Sequence, residues 1–146
     1  MESPIQVSFP LPRSLDQRIY LHLTIKAKAI LLFLTTAPME EAGSPTPLGS
    51  FVYALPDRYN PTHPLATPLC TVEPTLEFTT RLAKLLARKT QLPTYVANSI
   101  SLASTGLGGT VDEEMDAFSE VVRVVLSQLR PVIEATQTTS REIVSN

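Results

Sequence analysis

The sequence predicts an α+β fold of two layers, in which a largely antiparallel sheet of about six strands carries two helices packed on one face. Three stretches predict it: an alternating and then continuously apolar segment at 16–36, an amphipathic segment at 76–100 that changes period at a proline, and a capped amphipathic segment at 110–130. The 146 residues are enough for one domain that buries about two-thirds of its unfolded surface. Since two helices cover only one side of such a sheet, the other face is predicted to serve in dimerisation.

Residues 16–36 predict a β-hairpin. Aliphatic and polar residues alternate in 16–26, whereas 29–36 is apolar on both faces. With Ala27-Lys28 as a tight two-residue connection, the antiparallel register pairs Ile25 with Ile30, Leu23 with Leu32 and Leu21 with Leu34. One face of this hairpin is then wholly aliphatic.

The same register places a mixed set of residues on the opposite face of the hairpin: Tyr20, His22, Thr24, Leu31, Phe33 and Thr35. A mixture of aromatic, aliphatic and small polar groups suits a protein interface. The residues predicted to bind the partner are Tyr20, His22, Leu31 and Phe33. The alternative is that the aliphatic face of the hairpin binds the partner, in which case the mixed face does not.

Prolines and glycines bound the next predicted strands. Short strands are predicted at Ile5–Phe9, Gly49–Leu55 and Ala66–Val72. Pro68 favours an edge position for the last of them, because proline cannot donate a hydrogen bond to a central ladder.

The first helix begins at Glu73-Pro74, with proline in the favoured first position, and ends before Pro93, after which 94–100 reads as a strand. Its apolar side carries Leu76, Thr79, Ala83 and Leu86. Its basic side carries Arg81, Lys84, Arg88 and Lys89. We interpret the basic side as a solvated face on which Glu77 pairs with Arg81; contact with an acidic partner surface is the alternative.

The second helix begins with a capping box at Thr110-Val111-Asp112-Glu113, in which hydroxyl and carboxylate each accept a bond from an otherwise unpaired backbone N–H. Its predicted apolar stripe is Met115, Phe118, Val122, Val125 and Leu129. The helix is predicted to end near Arg130, before Pro131. Residues 1–130 are therefore predicted to form a single α+β domain, and 131–146 a polar, disordered C-terminal tail.

Composition argues against several classes of protein. A net charge of −2 argues against binding to nucleic acid or an anionic membrane surface. The longest strongly apolar run, Ala29–Leu34, is far shorter than the roughly 20 residues of a membrane span. The single cysteine, Cys70, has no disulfide partner and is predicted to be a small buried strand residue in a reducing compartment.

The sequence predicts no catalytic residue, metal site or cofactor. His22 reads as a strand residue with an interface or packing role, and His63 as a surface residue. The glycine-rich segment 106–110 lacks the lysine of a phosphate-binding loop and precedes three carboxylates at 112–114. Consecutive helix residues do not share a face, so these carboxylates read as a cap with a solvated turn.

Several of these motifs resemble a known family. Arg81–Thr90, with Tyr95-Val96 in the strand after it, resembles the most distinctive segment of the proteasome assembly chaperone 4 family. Glu113–Phe118 is similar to the second helix of that family, and Arg58-Tyr59 matches more weakly. The resemblance spans Val7–Phe118, and the residues after it depart from the family, whose members end soon after this point.

The resemblance implies a non-enzymatic assembly chaperone of the 20S proteasome, acting as a heterodimer with proteasome assembly chaperone 3. The pair is expected to bind alpha-type subunits, the alpha-type 5 subunit in particular, and to promote correct alpha-ring formation. The expected location is the cytoplasm, with the nucleus as a second compartment.

Two other functions remain open on the sequence alone. One is a small dimeric α+β adaptor or scaffold of the trafficking type, which composition does not exclude. The other is a small enzyme with substrate bound near Gly106, which requires His22 or His63 to approach that turn.

Overall fold

The computed structural model describes residues 4–14, 17–38, 49–102 and 110–145, and the side chains of these residues other than Pro38 and 135–145. Along the chain they form β1 (Ile5–Pro10), β2 (Gln17–Lys26), β3 (Ala29–Pro38), β4 (Ser50–Leu55), β5 (Leu65–Cys70), α1 (Glu73–Thr90), β6 (Thr94–Ser99) and α2 (Val111–Ser145). The predicted α+β fold is confirmed.

The strands form one sheet in the order β1-β2-β3-β6-β4-β5. The hairpin of β2 and β3 has the predicted register, with Ile25 opposite Ile30, Leu23 opposite Leu32 and Leu21 opposite Leu34. β6 inserts between β3, to which it is parallel, and β4, to which it is antiparallel. β5 lies at an edge of the sheet, as its proline predicts.

Both helices pack on the aliphatic face of the sheet and enclose one hydrophobic core. The strands contribute alternate residues, which include Leu23, Leu32 and Val96. Each helix contributes a buried stripe, and the two helices meet through an edge-to-face contact between Phe78 and Phe118, with ring centroids 5.1 Å apart. The central strands thus bury one side completely, and neither of the described helices covers the opposite side.

The buried hydroxyl of Ser50 ties the start of α1 to the sheet. The Val72 N–H donates to Ser50 Oγ at 3.0 Å, Ser50 Oγ donates to the Val72 carbonyl at 2.8 Å, and Thr75 Oγ1 donates to Ser50 Oγ at 2.8 Å. A residue of β4 thus anchors the residue before α1, whereas Val72 itself makes no side-chain cap. At the other end, Gln91 takes the left-handed conformation and donates its N–H to the Ala87 carbonyl at 2.8 Å.

The predicted capping box of α2 is confirmed. The Thr110 N–H donates to Glu113 Oε1 at 3.1 Å, and the Glu113 N–H donates to Thr110 Oγ1 at 3.4 Å. The interpretation of the three carboxylates as a cap with a solvated turn is wrong for Glu113, which is only 1% exposed. Its carboxylate is buried because it folds back over the start of the helix to reach the threonine.

The predicted end of α2 at Arg130 is wrong, because the helix continues through Pro131 to Ser145. Proline deprives the carbonyl of Ser127 of its donor, but both residues are exposed, so water can satisfy this carbonyl. Val132 and Ile133 pack partly against the core and hold the chain in helical register beyond the proline. The assignment of 131–146 to a separate tail stays a prediction.

Two predictions of burial are also wrong. Met115 is 58% exposed, because the buried stripe of α2 consists of Ala117, Val121, Val124, Val125 and Leu129. Cys70 is exposed, because β5 is an edge strand and ends at this residue rather than at Val72. The glycine-rich segment at 106–109 lies outside the described residues.

Candidate protein interface on the open sheet face

The sheet face opposite the two helices, called the open face below, consists of the strand residues that alternate with the core. The register aligns one row of residues across the sheet: Gln6, His22, Phe33, Ala97, Phe51 and Cys70. The adjacent row consists of Thr24, Leu31, Tyr95, Tyr53 and Thr67. The predicted grouping of six hairpin residues on this face is confirmed by the pairing of β2 with β3.

The four residues predicted to bind a partner all lie on the open face. Tyr20, His22 and Leu31 are half-buried, whereas Phe33 leaves 36% of its surface exposed. The rings of His22 and Phe33 meet edge to face with centroids 6.2 Å apart. His22 and Phe33, together with Tyr20, line a depression of about 580 Å³, whereas Leu31 lies in the adjacent row. Their role in partner binding stays a prediction.

A small residue forms the floor of this depression. Ala97 lies between Phe33 and Phe51 across the sheet and is only 1% exposed, although it belongs to the open face. Neighbouring groups therefore cover Ala97 almost completely. The depression is lined mainly by β1, β2 and β3, and there a side chain of a facing protein can insert.

Three aromatic rings beside this depression extend the site, although sequence reasoning did not name them as partner-binding residues. Tyr95 stacks on Tyr53 with ring centroids 4.6 Å apart and approaches Phe51 at 6.1 Å. The alternation of 94–100 indicates a strand but not its neighbours, so the sequence offered no signal that Tyr95 and Tyr53 are paired. The stack adds rigid aromatic area of the kind enriched at protein interfaces.

The centre of the open face is uncharged. Among the described strand residues on this face, charge occurs only at Arg18 and Lys26, at opposite ends of β2. The guanidinium of Arg18 donates to the Ser8 carbonyl at 3.1 Å and lies at the margin of the face. An apolar and aromatic centre with polar groups at the rim is the usual anatomy of a protein interface.

The described residues do not assemble a reactive centre. His22 lies in mid-sheet, while His63 is exposed in the loop after β4, with its Nδ1 3.1 Å from Asn60 Oδ1. In the part of the chain that the structure describes, no group of three or more His, Cys, Asp or Glu residues is placed to hold a metal ion. Cys70 is a free thiol on the edge strand.

None of the described helices is long and apolar enough to cross a membrane.

Comparisons with known proteins agree with the fold. The model of the family described as proteasome assembly chaperone 4 matches residues 18–100, which is more than half of the chain. A search of curated proteins finds no match. Among solved structures, a chain of a yeast chaperone complex for 20S proteasome assembly superposes with a TM-score of 0.61 at 14% identity, covering 90% of this chain and 98% of that chain. At this identity the structural likeness shows the fold alone.

Proposed function

Because the chain belongs to the proteasome assembly chaperone 4 family, we propose that this proteasome assembly chaperone works as a heterodimer with proteasome assembly chaperone 3, through the open face of its sheet. The observation that carries the proposal is the apolar and aromatic surface that this face leaves uncovered. It presents Phe33, Leu31 and a stack of three aromatic rings beside the depression, with no helix over them among the described elements. An exposed apolar surface of this kind marks a site of protein interaction.

The open face is large enough for a stable interface. Six strands spaced about 4.8 Å apart span about 29 Å, and six residues along each strand span about 20 Å. The resulting footprint of about 600 Å² is comparable to the roughly 800 Å² that each partner buries in a standard interface. Two such sheets pack about 10 Å apart with their side chains interdigitated, and the depression lined by Tyr20, His22 and Phe33 offers one place for insertion.

The function proposed for the pair is to bind alpha-type subunits, the alpha-type 5 subunit in particular, and to promote correct alpha-ring formation. A preformed surface that fits one subunit favours one arrangement of neighbours over others. The pair leaves when later subunits compete for the same surface. This role is non-enzymatic and places the protein in the cytoplasm and the nucleus.

Reconstitution from purified components tests this function. The chain is mixed with proteasome assembly chaperone 3 and then with single alpha-type subunits, and each mixture is analysed by size-exclusion chromatography with light scattering. We expect a one-to-one heterodimer that binds the alpha-type 5 subunit as a ternary complex. A chain that stays monomeric, or a heterodimer that binds no alpha-type subunit, would contradict the proposal.

A further inference from the structure

One end of the sheet collects basic side chains that lie outside the open-face centre. Three segments meet there: the β2–β3 turn, the loop between β4 and β5, and the end of α1. They carry five exposed cations, called the basic end below: Lys26, Lys28, Arg58, Arg88 and Lys89. The acidic residue of these segments is Asp57, so the end is strongly positive although the whole chain has a net charge of −2.

Hydrogen bonds hold these segments against one another. The Ile30 N–H at the start of β3 donates to the Pro93 carbonyl at 2.9 Å, which ties the hairpin to the segment after α1. The side-chain amide of Gln91 donates to the Arg88 carbonyl at 2.8 Å and to the Pro61 carbonyl at 3.4 Å. The loop and the last turn of α1 are therefore neighbours at this end of the sheet.

Tyr59 projects from this surface. Its side chain is 98% exposed, the highest value among the large hydrophobic residues of the described chain. The backbone beneath it is nevertheless ordered by its own bonds: the Tyr59 N–H donates to Asp57 Oδ1 at 2.9 Å, and the Asn60 N–H donates to the Asp57 carbonyl at 3.2 Å. A tyrosine presented on a preformed turn loses little entropy on binding and is a frequent anchor of protein interfaces.

The cations of the basic end are not neutralised within the described structure. The ion pairs it contains are Arg13–Asp116, Arg81–Glu77 and Arg123–Glu120, and none involves the basic end. The carboxylate of Asp57 is already engaged by the turn. A positive potential without internal partners is complementary to an acidic surface.

We propose that the basic end binds an acidic protein surface, with Tyr59 inserted in an apolar socket and the surrounding cations paired with carboxylates. The inference rests on the proposed function, in which this acidic surface belongs to the bound alpha-type subunit. A protein is favoured over nucleic acid because a single aromatic residue offers no series of stacking positions, and because the chain as a whole is acidic. The basic end binds its target while the open face holds the partner chaperone.

Two variants of the basic end and a matched control test the proposal in the full-length heterodimer. The first variant is Arg58→Gln/Arg88→Gln/Lys89→Gln, and the second is Tyr59→Ala. The control, Arg13→Gln/Arg81→Gln/Arg123→Gln, removes the same charge from exposed positions outside the basic end. Binding to purified alpha-type 5 subunit is measured by interferometry at salt concentrations between about 50 and about 300 mM, where exposed charges become screened. Light scattering confirms that each heterodimer is intact.

We expect both variants to weaken subunit binding about tenfold or more, the control to stay within about twofold, and wild-type binding to fall with salt. Variants that bind the subunit as wild type does would overturn the inference and leave the proposed function in place. A wild-type heterodimer that binds no alpha-type subunit would show that the proposed function has failed, and the inference with it. A labelled RNA or anionic vesicles that bind the wild type but not the triple variant would also overturn the inference. The basic end would then be a nucleic-acid or lipid site.

Discussion

Substitution of Phe33 by aspartate should separate folding from pairing. Phe33 is 36% exposed at the centre of the open face, which corresponds to about 70 Å² of a side chain of about 200 Å². Covering that area contributes about 2 kcal/mol at 25 cal/mol per Å², and an unpaired carboxylate in the interface costs about 3–5 kcal/mol more. The sum predicts that Phe33→Asp weakens the heterodimer by more than about a thousandfold.

The free chain should tolerate the same change, because the aspartate faces water there and the core beneath Phe33 is untouched. Heterodimer formation is measured by light scattering and titration calorimetry, and folding by circular dichroism. Met115→Asp serves as the control, since it places the same charge on an exposed apolar residue of the helical layer. A folded Phe33→Asp chain that pairs as tightly as wild type would show that the open face is not the dimer interface.

Three further substitutions test how the fold is held around this face. Gly49→Ala should cost about 3 kcal/mol or more, because Gly49 has a φ of +73° and an added Cβ would lie 2.0 Å from the Asn98 carbonyl oxygen. Ser50→Ala should cost about 1–3 kcal/mol, because it removes the buried hydroxyl that accepts hydrogen bonds from the Val72 N–H and the Thr75 hydroxyl. Thr110→Ala should cost about 1 kcal/mol through loss of the capping box. All three are measured by denaturant unfolding of the purified chain.

Each of these three predictions has an outcome that would contradict it or a variant that controls for it. A Ser50→Ala chain as stable as wild type would show that the bonds of this hydroxyl to Val72 and Thr75 contribute little. A Gly49→Ala chain as stable as wild type would show that β4 can shift away from β6. Unfolding of Thr110→Ser, which retains the hydroxyl, is the corresponding control for the cap.

The sequence was sufficient for those parts of the fold that depend on local pattern. Period-two alternation with a two-residue connection determined the register of β2 and β3, and thereby the mixed face that carries Phe33. The capping pattern determined where α2 begins. In both cases, neighbouring residues alone decide the geometry.

Other features depend on contacts between distant segments and could not be read from pattern. The stack of Tyr95 on Tyr53 requires β6 to lie between β3 and β4, which only the packing of α1 across the sheet decides. Met115 and Val121 are both apolar residues of α2. The orientation of that helix against the core buries Val121 and leaves Met115 exposed. The continuation of α2 past Pro131 likewise depends on core contacts made by residues after the proline.

The two surfaces proposed for this chaperone differ in physical character, and this difference bears on its release. The open face is apolar and aromatic, so partner binding there should depend weakly on salt, whereas the basic end relies on exposed charges that are screened and that exchange readily. A later subunit that offers more carboxylates, or covers Tyr59, can therefore displace the basic end without opening the chaperone heterodimer. On this reasoning the chaperone leaves the maturing particle as an intact pair, and the partner should remain bound in every fraction from which the alpha-type subunit has been lost.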